Sequence, residues 1–316
     1  MKSSPIVAGD AAGLQRAVAA LRAGQTVGLP TETVYGLAAD ASNPSAVASI
    51  YAIKGRPTFN PLIAHVADTA MARREGILDA RAEALAEAFW PGPLTLVMPV
   101  ANGGQTCELA RAGLDTIAVR VPSQPIAQAL LQAIGVPLAA PSANPSGRLS
   151  PTRAEEVAAE LGDAVRLVLD GGPCRSGVES SIVAVLPDAP PTLLRPGAIP
   201  RAELEAIVGP LADRADTSIS APGQLRSHYA PRAQLRLNAQ RANPGEVLLG
   251  FGPASPADTL CLSRSADLAE AAANLYQYLR RLDASGAAAI AVMPIPDTGL
   301  GEAINDRLQR AAAPRG

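Results

Sequence analysis

The chain has 316 residues, 48% of them hydrophobic and 18% charged, with a net charge of −2 and a pI near 5.8. This length suggests roughly two domains, each with its own core, and the composition excludes disorder as the default state. Bulk charge gives no reason to expect tight nucleic-acid binding, although a local basic groove is compatible with it.

In chain order, Asp10 is placed to cap a first helix with Leu14, Val18 and Leu21 on one face and Gly24 ending it. A strand is predicted over Thr26–Leu29. Asn43-Pro44 opens a second helix that buries Val47 and Ile50 and delivers Lys54 at its end. Strand patterns follow at Leu62–Val66, Thr95–Pro99, Thr116–Val121, Val165–Leu169 and Ser181–Leu186, interleaved with helical ones. That alternation predicts an α/β layer fold. A helix is expected over Arg201–Val208, and the aperiodic Pro- and Gly-containing stretch Asp213–Arg232 reads as a linker. Beyond it, strands at Glu246–Gly250 and Ala288–Met293 flank a helix from Asp267 to about Leu282, enough for a small second α/β domain. The expected division is 1–210, a linker at 211–234, and 235–316.

Four clusters carry polar chemistry: Thr31 to His65, Thr116 to Arg120, Pro141 to Ser150 (PSANPSGRLS), and Gly177 to Ser181 with Arg195. Each falls at a predicted strand end or in the loop after it, where open α/β sheets bind ligands. Lys54 is the only lysine after Lys2, the other 25 cationic side chains being arginine. It suits a phosphate site, or else the C-terminal dipole of its helix. His65 lies in an apolar strand and reads as a ligand contact or as a buried, backbone-satisfied histidine. PSANPSG reads as a functional loop or as a pair of turns. Positioned cations and amides such as Lys54, Arg56, Ser142 and Asn144 are what phosphate chemistry requires.

Several chemistries are excluded or weakened. Two histidines, His65 and His228, cannot make a multi-histidine metal centre, so any catalytic metal should be Mg²⁺ held partly by substrate phosphates. Cys107, Cys174 and Cys261 form no CxxC pair, which argues against zinc and against a disulfide framework and fits a reducing cytoplasm. There is no GxxxxGK[ST] loop, no GxSxG elbow and no complete dinucleotide fingerprint. The N-terminus lacks an apolar export segment, and no apolar run reaches membrane-spanning length.

The motifs LPTETVYGLAAD, KGRP with NPLI, FWPGPLT, VRVP, the Ser142-Ala143-Asn144 turn and GVESSIV occur in the order seen in a known family. The chain resembles the YrdC-like threonylcarbamoyl-AMP synthases in their long two-domain form. SAPGQLRSHYAP resembles the interdomain segment of that form, His228-Tyr229-Ala230-Pro231 being its firm match, whereas Gln224-Leu225-Arg226-Ser227 departs from the more basic, aromatic run of many relatives.

The resemblance implies a twisted open sheet curled around a cationic cavity, followed by a small Rossmann-like domain. It implies synthesis of threonylcarbamoyl-AMP from L-threonine, bicarbonate and ATP with Mg²⁺, releasing pyrophosphate, for a separate transferase complex that modifies tRNA. Carried over by position, Lys54, Arg56, Ser142 and Asn144 resemble the tetrad around the triphosphate, and Asn60, Thr116, Ser150, Arg195 and Tyr229 its other ATP contacts. Thr33, His65, Arg120, Ala140 (by its backbone) and Ser180 resemble the threonine pocket. The linker with Tyr229 is the expected lid and Gly223 its hinge. Lys54→Ala is expected to remove triphosphate stabilisation and leave the fold intact. The competing expectations are double-stranded RNA binding by the concave surface, which the acidic pI disfavours, and carbamoyl transfer of the hydrogenase-maturation kind, for whose acylphosphatase and zinc modules the chain has no room.

Overall fold

The computed structural model describes residues 5–213, 221–223 and 228–314. Eleven strands form one mixed sheet: β1 (Ile6–Ala8), β2 (Val27–Leu29), β3 (Gly36–Asp40), β4 (Ile63–His65), β5 (Leu94–Pro99), β6 (Thr116–Arg120), β7 (Leu138–Ala139), β8 (Leu167–Asp170), β9 (Ser181–Ala184), β10 (Thr192–Arg195) and β11 (Ala212–Asp213). Their spatial order is β1-β8-β2-β3-β7-β4-β6-β5-β9-β10-β11. A second, all-parallel sheet, ordered β12-β15-β13-β14, comprises β12 (Gln234–Arg236), β13 (Glu246–Gly250), β14 (Leu260–Cys261) and β15 (Ala289–Val292). The first sheet therefore extends through Asp213 and the second begins at Gln234, so both reach slightly into the stretch read as linker.

Local chemistry accounts for the first two helices. In α1 (Ala11–Arg22) the Asp10 side chain accepts from the Gly13 amide, and in α2 (Pro44–Lys54) that of Asn43 accepts from the Ser45 and Ala46 amides, with Pro44 pre-set for the first turn. Gly55 ends α2 in the left-handed region at φ 58°, which turns the chain sharply into Arg56.

Strand alternation sorts the two faces of the sheet. Ala64 and Val119 point into the larger core, which is packed by Leu21 of α1, Met71 of α3 (Thr69–Glu75), Leu85 of α4 (Ala80–Phe89), Leu130 of α5 (Pro125–Ile134) and Leu204 of α7 (Arg201–Val208). Ile63, Ala118 and Ile182 point the other way, where the linker residue Ala221 packs fully buried against them. α2 and α6 (Ala154–Leu161) enclose a further core around Tyr35, Leu37, Ile50 and Val157.

The second domain packs α8 (Leu268–Ala284) and α9 (Leu300–Ala312) on its sheet, and its core takes in Val34, Leu149 and Val178 of the first domain. Gly177 makes this junction possible. Its φ is 68°, and a Cβ there would lie 2.3 Å from the Ala272 carbonyl oxygen of α8. Among the described residues no helix is long and apolar enough to cross a membrane.

Candidate functional site

A cavity is lined by residues from β3, β4, β6, β9 and β10 or the loops beside them, and from the linker. Those strands run from β3 to β10 in the sheet order, a span that one cavity can touch only if the sheet curls around it.

One wall is built by register. His65 and Arg120 are Cα partners at the ends of the parallel strands β4 and β6, so both side chains emerge side by side. The Arg120 guanidinium donates through Nη1 to Thr33 Oγ1 at 2.9 Å, through Nη2 to Glu32 Oε1 at 2.7 Å, and through Nε to the Gly92 carbonyl at 3.4 Å. Five N–H donors are available and three are used, so two are left for a carboxylate. Burial, then the neighbouring Arg120 charge, brings the His65 pKa down to about 3. The ring is therefore neutral. Its Nδ1 lies 3.2 Å from the Ile63 carbonyl oxygen, which can only accept, so Nδ1 carries the hydrogen and Nε2 keeps its lone pair.

The lining also includes Ser180, Glu179 and Arg195. Ser180 Oγ shares a 2.7 Å hydrogen bond with Thr95 Oγ1, and Arg195 Nη2 donates to the Ser180 carbonyl at 2.9 Å and to its hydroxyl at 3.1 Å. The linker roofs the space with Pro222, Gly223, His228 and Tyr229, and Arg195 Nη1 donates to the Pro222 carbonyl at 3.3 Å. Gly223 has φ 82°, and a Cβ there would come within 2.6 Å of the Tyr229 hydroxyl and 2.9 Å of Arg195 Cδ. Glycine alone fits that approach.

The KGRP turn lies beside the Ser142–Asn144 loop. Arg56 reaches the cavity while its Nε and Nη2 are held by Asn60 and by the Pro61 carbonyl. Lys54 is buried behind it, its ammonium donating to the carbonyl oxygens of Ser142, at 2.5 Å, and Asn144. Burial, and secondarily the Arg56 charge, lowers the Lys54 pKa well below its ordinary value. Asn60 Nδ2 and Asn144 Oδ1 are buried without a hydrogen-bond partner among the described residues, two polar atoms ready for a ligand or water.

The sequence-predicted residues thus divide into three groups. Thr33, Arg56, His65, Arg120, Ala140, Ser142, Ser180, Arg195 and Tyr229 line the cavity. Lys54, Asn60, Asn144 and Ser150 stand behind that wall, Lys54 and Ser150 bonded to groups that adjoin it. Thr116 is not brought to the cavity. It occupies the far end of β6 from Arg120, and four residues of extended chain separate them by about 13 Å.

Sequence reasoning missed Glu32, Glu179, Tyr276 and Arg307. Glu32 and Glu179 lie inside motifs already singled out. Arg307 carried a readable signal, because it interrupts the apolar stripe of α9 between Ile304 and Leu308.

Such a roofed, cation-lined cavity in a curled mixed sheet defines an α/β protein that handles a small anionic ligand away from bulk water. The family model described as "Telomere recombination" (Sua5, YciO, YrdC) matches residues 19–197, and that described as "Threonylcarbamoyl-AMP synthase, C-terminal domain" matches 199–313. The chain is 40% identical to the threonylcarbamoyl-AMP synthase of Bacillus subtilis over 96% of its own length and 93% of that protein's. It is 37% identical to the one from Pyrococcus abyssi, over 93% and 92%. The crystal structure of P. abyssi Sua5 complexed with L-threonine superposes with a TM-score of 0.87 at 35% identity, covering 95% of this chain and 94% of that one. The chain belongs to the threonylcarbamoyl-AMP synthase family, in its two-domain form.

Proposed function

We propose that this chain makes threonylcarbamoyl-AMP from L-threonine, bicarbonate and ATP, releasing pyrophosphate and water. The observation that carries the reading is the convergence of Arg56, Arg120 and Arg195 with a neutral His65 under the linker. Arg120 has donors free for the threonine carboxylate, Thr33 and Ser180 supply hydroxyls, and the Ala140 backbone borders the same space. His65 Nε2 can accept a hydrogen from the threonine amine or hydroxyl. The basic Arg56, with Lys54 securing the Ser142–Asn144 loop beside it, suits the triphosphate; Asn60, Ser150, Arg195 and Tyr229 suit the rest of the nucleotide.

The threonine amine attacks the bicarbonate carbon and water leaves, giving a carbamate. A carbamate oxygen then attacks the α-phosphorus in line, and pyrophosphate departs with the bonding electrons. No side chain becomes covalently attached. Both the carbamate and the mixed anhydride are prone to breakdown in water, which gives the roof of Pro222, Gly223, His228 and Tyr229 a function. Pro222, Gly223, His228 and Tyr229 of the linker belong to the lining of the same cavity, which favours the small-molecule reading over RNA binding.

Mg²⁺ belongs to this proposal as the counter-ion of the triphosphate, where it would neutralise charge on the departing pyrophosphate. Among the described residues no three His, Cys, Asp or Glu side chains form a metal cluster, and Glu32 and Glu179 are both committed to arginines. This donor set fits an ion held by substrate phosphates and water rather than a protein cage. A cytoplasmic setting, and hand-over of the adenylate to a separate tRNA-modifying transferase, complete the reading.

The test is pyrophosphate release with ATP and Mg²⁺, omitting threonine or bicarbonate in turn, with mass spectrometry of the adenylate. Release that needs both, with threonylcarbamoyl-AMP detected, is expected. Release that is independent of either would overturn the reaction as written.

A further inference from the structure

A buried carboxylate is out of place in a cavity meant for phosphates, yet Glu179 lines this one and is 6% exposed. Its Oε1 accepts from Ser150 Oγ at 2.5 Å, and the Tyr276 hydroxyl donates to both carboxylate oxygens at 3.1 and 3.0 Å. Oε2 also accepts from Arg307 Nε at 2.7 Å. Tyr276 and Arg307 come from α8 and α9, so two of the three partners, including the ion-pair partner, belong to the other domain. The Arg307 guanidinium also stands over the Tyr229 ring at 5.0 Å, and Tyr229 stacks on Tyr276 at 5.9 Å.

We propose that Arg307 is a positioning residue whose role is to neutralise Glu179, so that the cavity accepts a polyphosphate only while the C-terminal domain is docked. This rests on the synthase reading, since it presumes a nucleotide in the cavity.

The alternative counter-charge for Glu179 is Arg195, which also stabilises the carboxylate but is fixed to Ser180 and Pro222 on the cavity wall. If Arg307 were withdrawn, Glu179 would either repel the phosphates or draw Arg195 away from them. With Arg307 in place, burial alone would raise the Glu179 pKa, but Arg307, then Arg195 and the Ser150 hydrogen bond, bring it down to about 2. The carboxylate therefore stays charged, and so able to hold Ser150 and Tyr276, without making the cavity anionic. Gly177, two residues away, is what admits α8 to this distance. The second domain thus completes the electrostatics of a site whose substrate-facing groups all lie on the first domain and the linker.

The experiment is calorimetric binding of Mg·ATP, and separately of threonine, to the full chain, to Arg307→Met and to Glu179→Gln/Arg307→Met. The single substitution should weaken ATP binding about tenfold or more, equivalent to about 1.4 kcal/mol, and change threonine binding by less than about twofold. The double substitution removes the stranded charge and should recover ATP affinity to within about threefold of the unsubstituted chain. A merely structural arginine predicts no such recovery. An Arg307→Met protein that binds ATP normally, or a double variant no better than the single, overturns the inference. If Arg307→Met does not fold, the double variant decides alone: ATP affinity near that of the unsubstituted chain supports the inference, and a loss of about tenfold or more sinks it. Failure of the unsubstituted chain to bind ATP would instead bring down the synthase reading, and this inference with it.

Discussion

Lys54 Nζ donates to the Ser142 carbonyl oxygen at 2.5 Å and to that of Asn144, so the one lysine of the site joins the C-terminal end of α2 to the loop after β7. The tie explains why a long cationic side chain is buried behind the cavity instead of projecting into it. It also alters the expectation for Lys54→Ala. Besides losing charge, this variant would strand two carbonyl acceptors in a buried site, at about 1–3 kcal/mol each. A melting temperature lower by several degrees together with a synthesis rate reduced about 100-fold or more is expected. Calorimetric melts beside pyrophosphate release check it, and an unchanged melting temperature would show that the loop is held by something else.

Arg120 and Glu32 form an ion pair in which both side chains are less than a tenth exposed. Truncating Arg120 to alanine would leave the Glu32 carboxylate buried without its partner, a loss of about 3–5 kcal/mol in stability. Arg120→Lys keeps the charge but not the fork that serves Thr33, Glu32 and a ligand together. The lysine variant should fold and show a threonine KM raised about tenfold or more with little change in that for ATP. Steady-state kinetics with each substrate varied in turn separate the two.

Acidification should destabilise the fold from a higher pH than its carboxylates alone would predict. His65 and His228 are both lowered to about 3, by burial first, from an ordinary value of 6.5. Between those values the unfolded chain binds protons that the folded one does not, so stability falls as pH drops below about 6.5. Glu179, lowered from 4.5 to about 2, adds a loss of the same sign between those two values, because its folded form resists protonation. Melting temperature measured from pH 8 to pH 4 should decline from near neutrality, and more shallowly in His228→Gln. A flat profile down to pH 5 would contradict the neutral, buried histidines.

Gly177→Ala tests the junction of the domains. The added methyl meets backbone atoms of α8 at 2.3 and 2.4 Å, and backbone cannot swing aside as a flexible side chain can. Undocking of the C-terminal domain is expected, seen as a thermal transition split in two and faster protease cleavage within the linker. A single, unshifted transition would mean that α8 can retreat at little cost.

The helices bounded by strong local signals were legible in the sequence. Asp10, Asn43-Pro44 and Asp267 start α1, α2 and α8 where their side chains or rings predict, because capping is settled within four residues. The Arg201–Val208 helix and the strands at Glu246–Gly250 and Ser181–Ala184 likewise follow their patterns. The two-residue β7 and β11 carry too short a pattern to read, since strands of that length exist only through their neighbours in the sheet. Gln224-Leu225-Arg226-Ser227, where the linker departs from its relatives, lies outside the described residues.

By itself the sequence determined the α/β alternation, the family and most of the polar groups that meet at the cavity, because these depend on periodicity and on motifs written within a few tens of residues. Only the tertiary structure decided what those groups do to one another. Strand register set His65 beside Arg120, the sheet brought Arg195 to the same cavity, and docking of the second domain paired Arg307 with Glu179 across 128 positions of chain. Electrostatic energy depends on distance and burial in space, which separation along the chain does not encode.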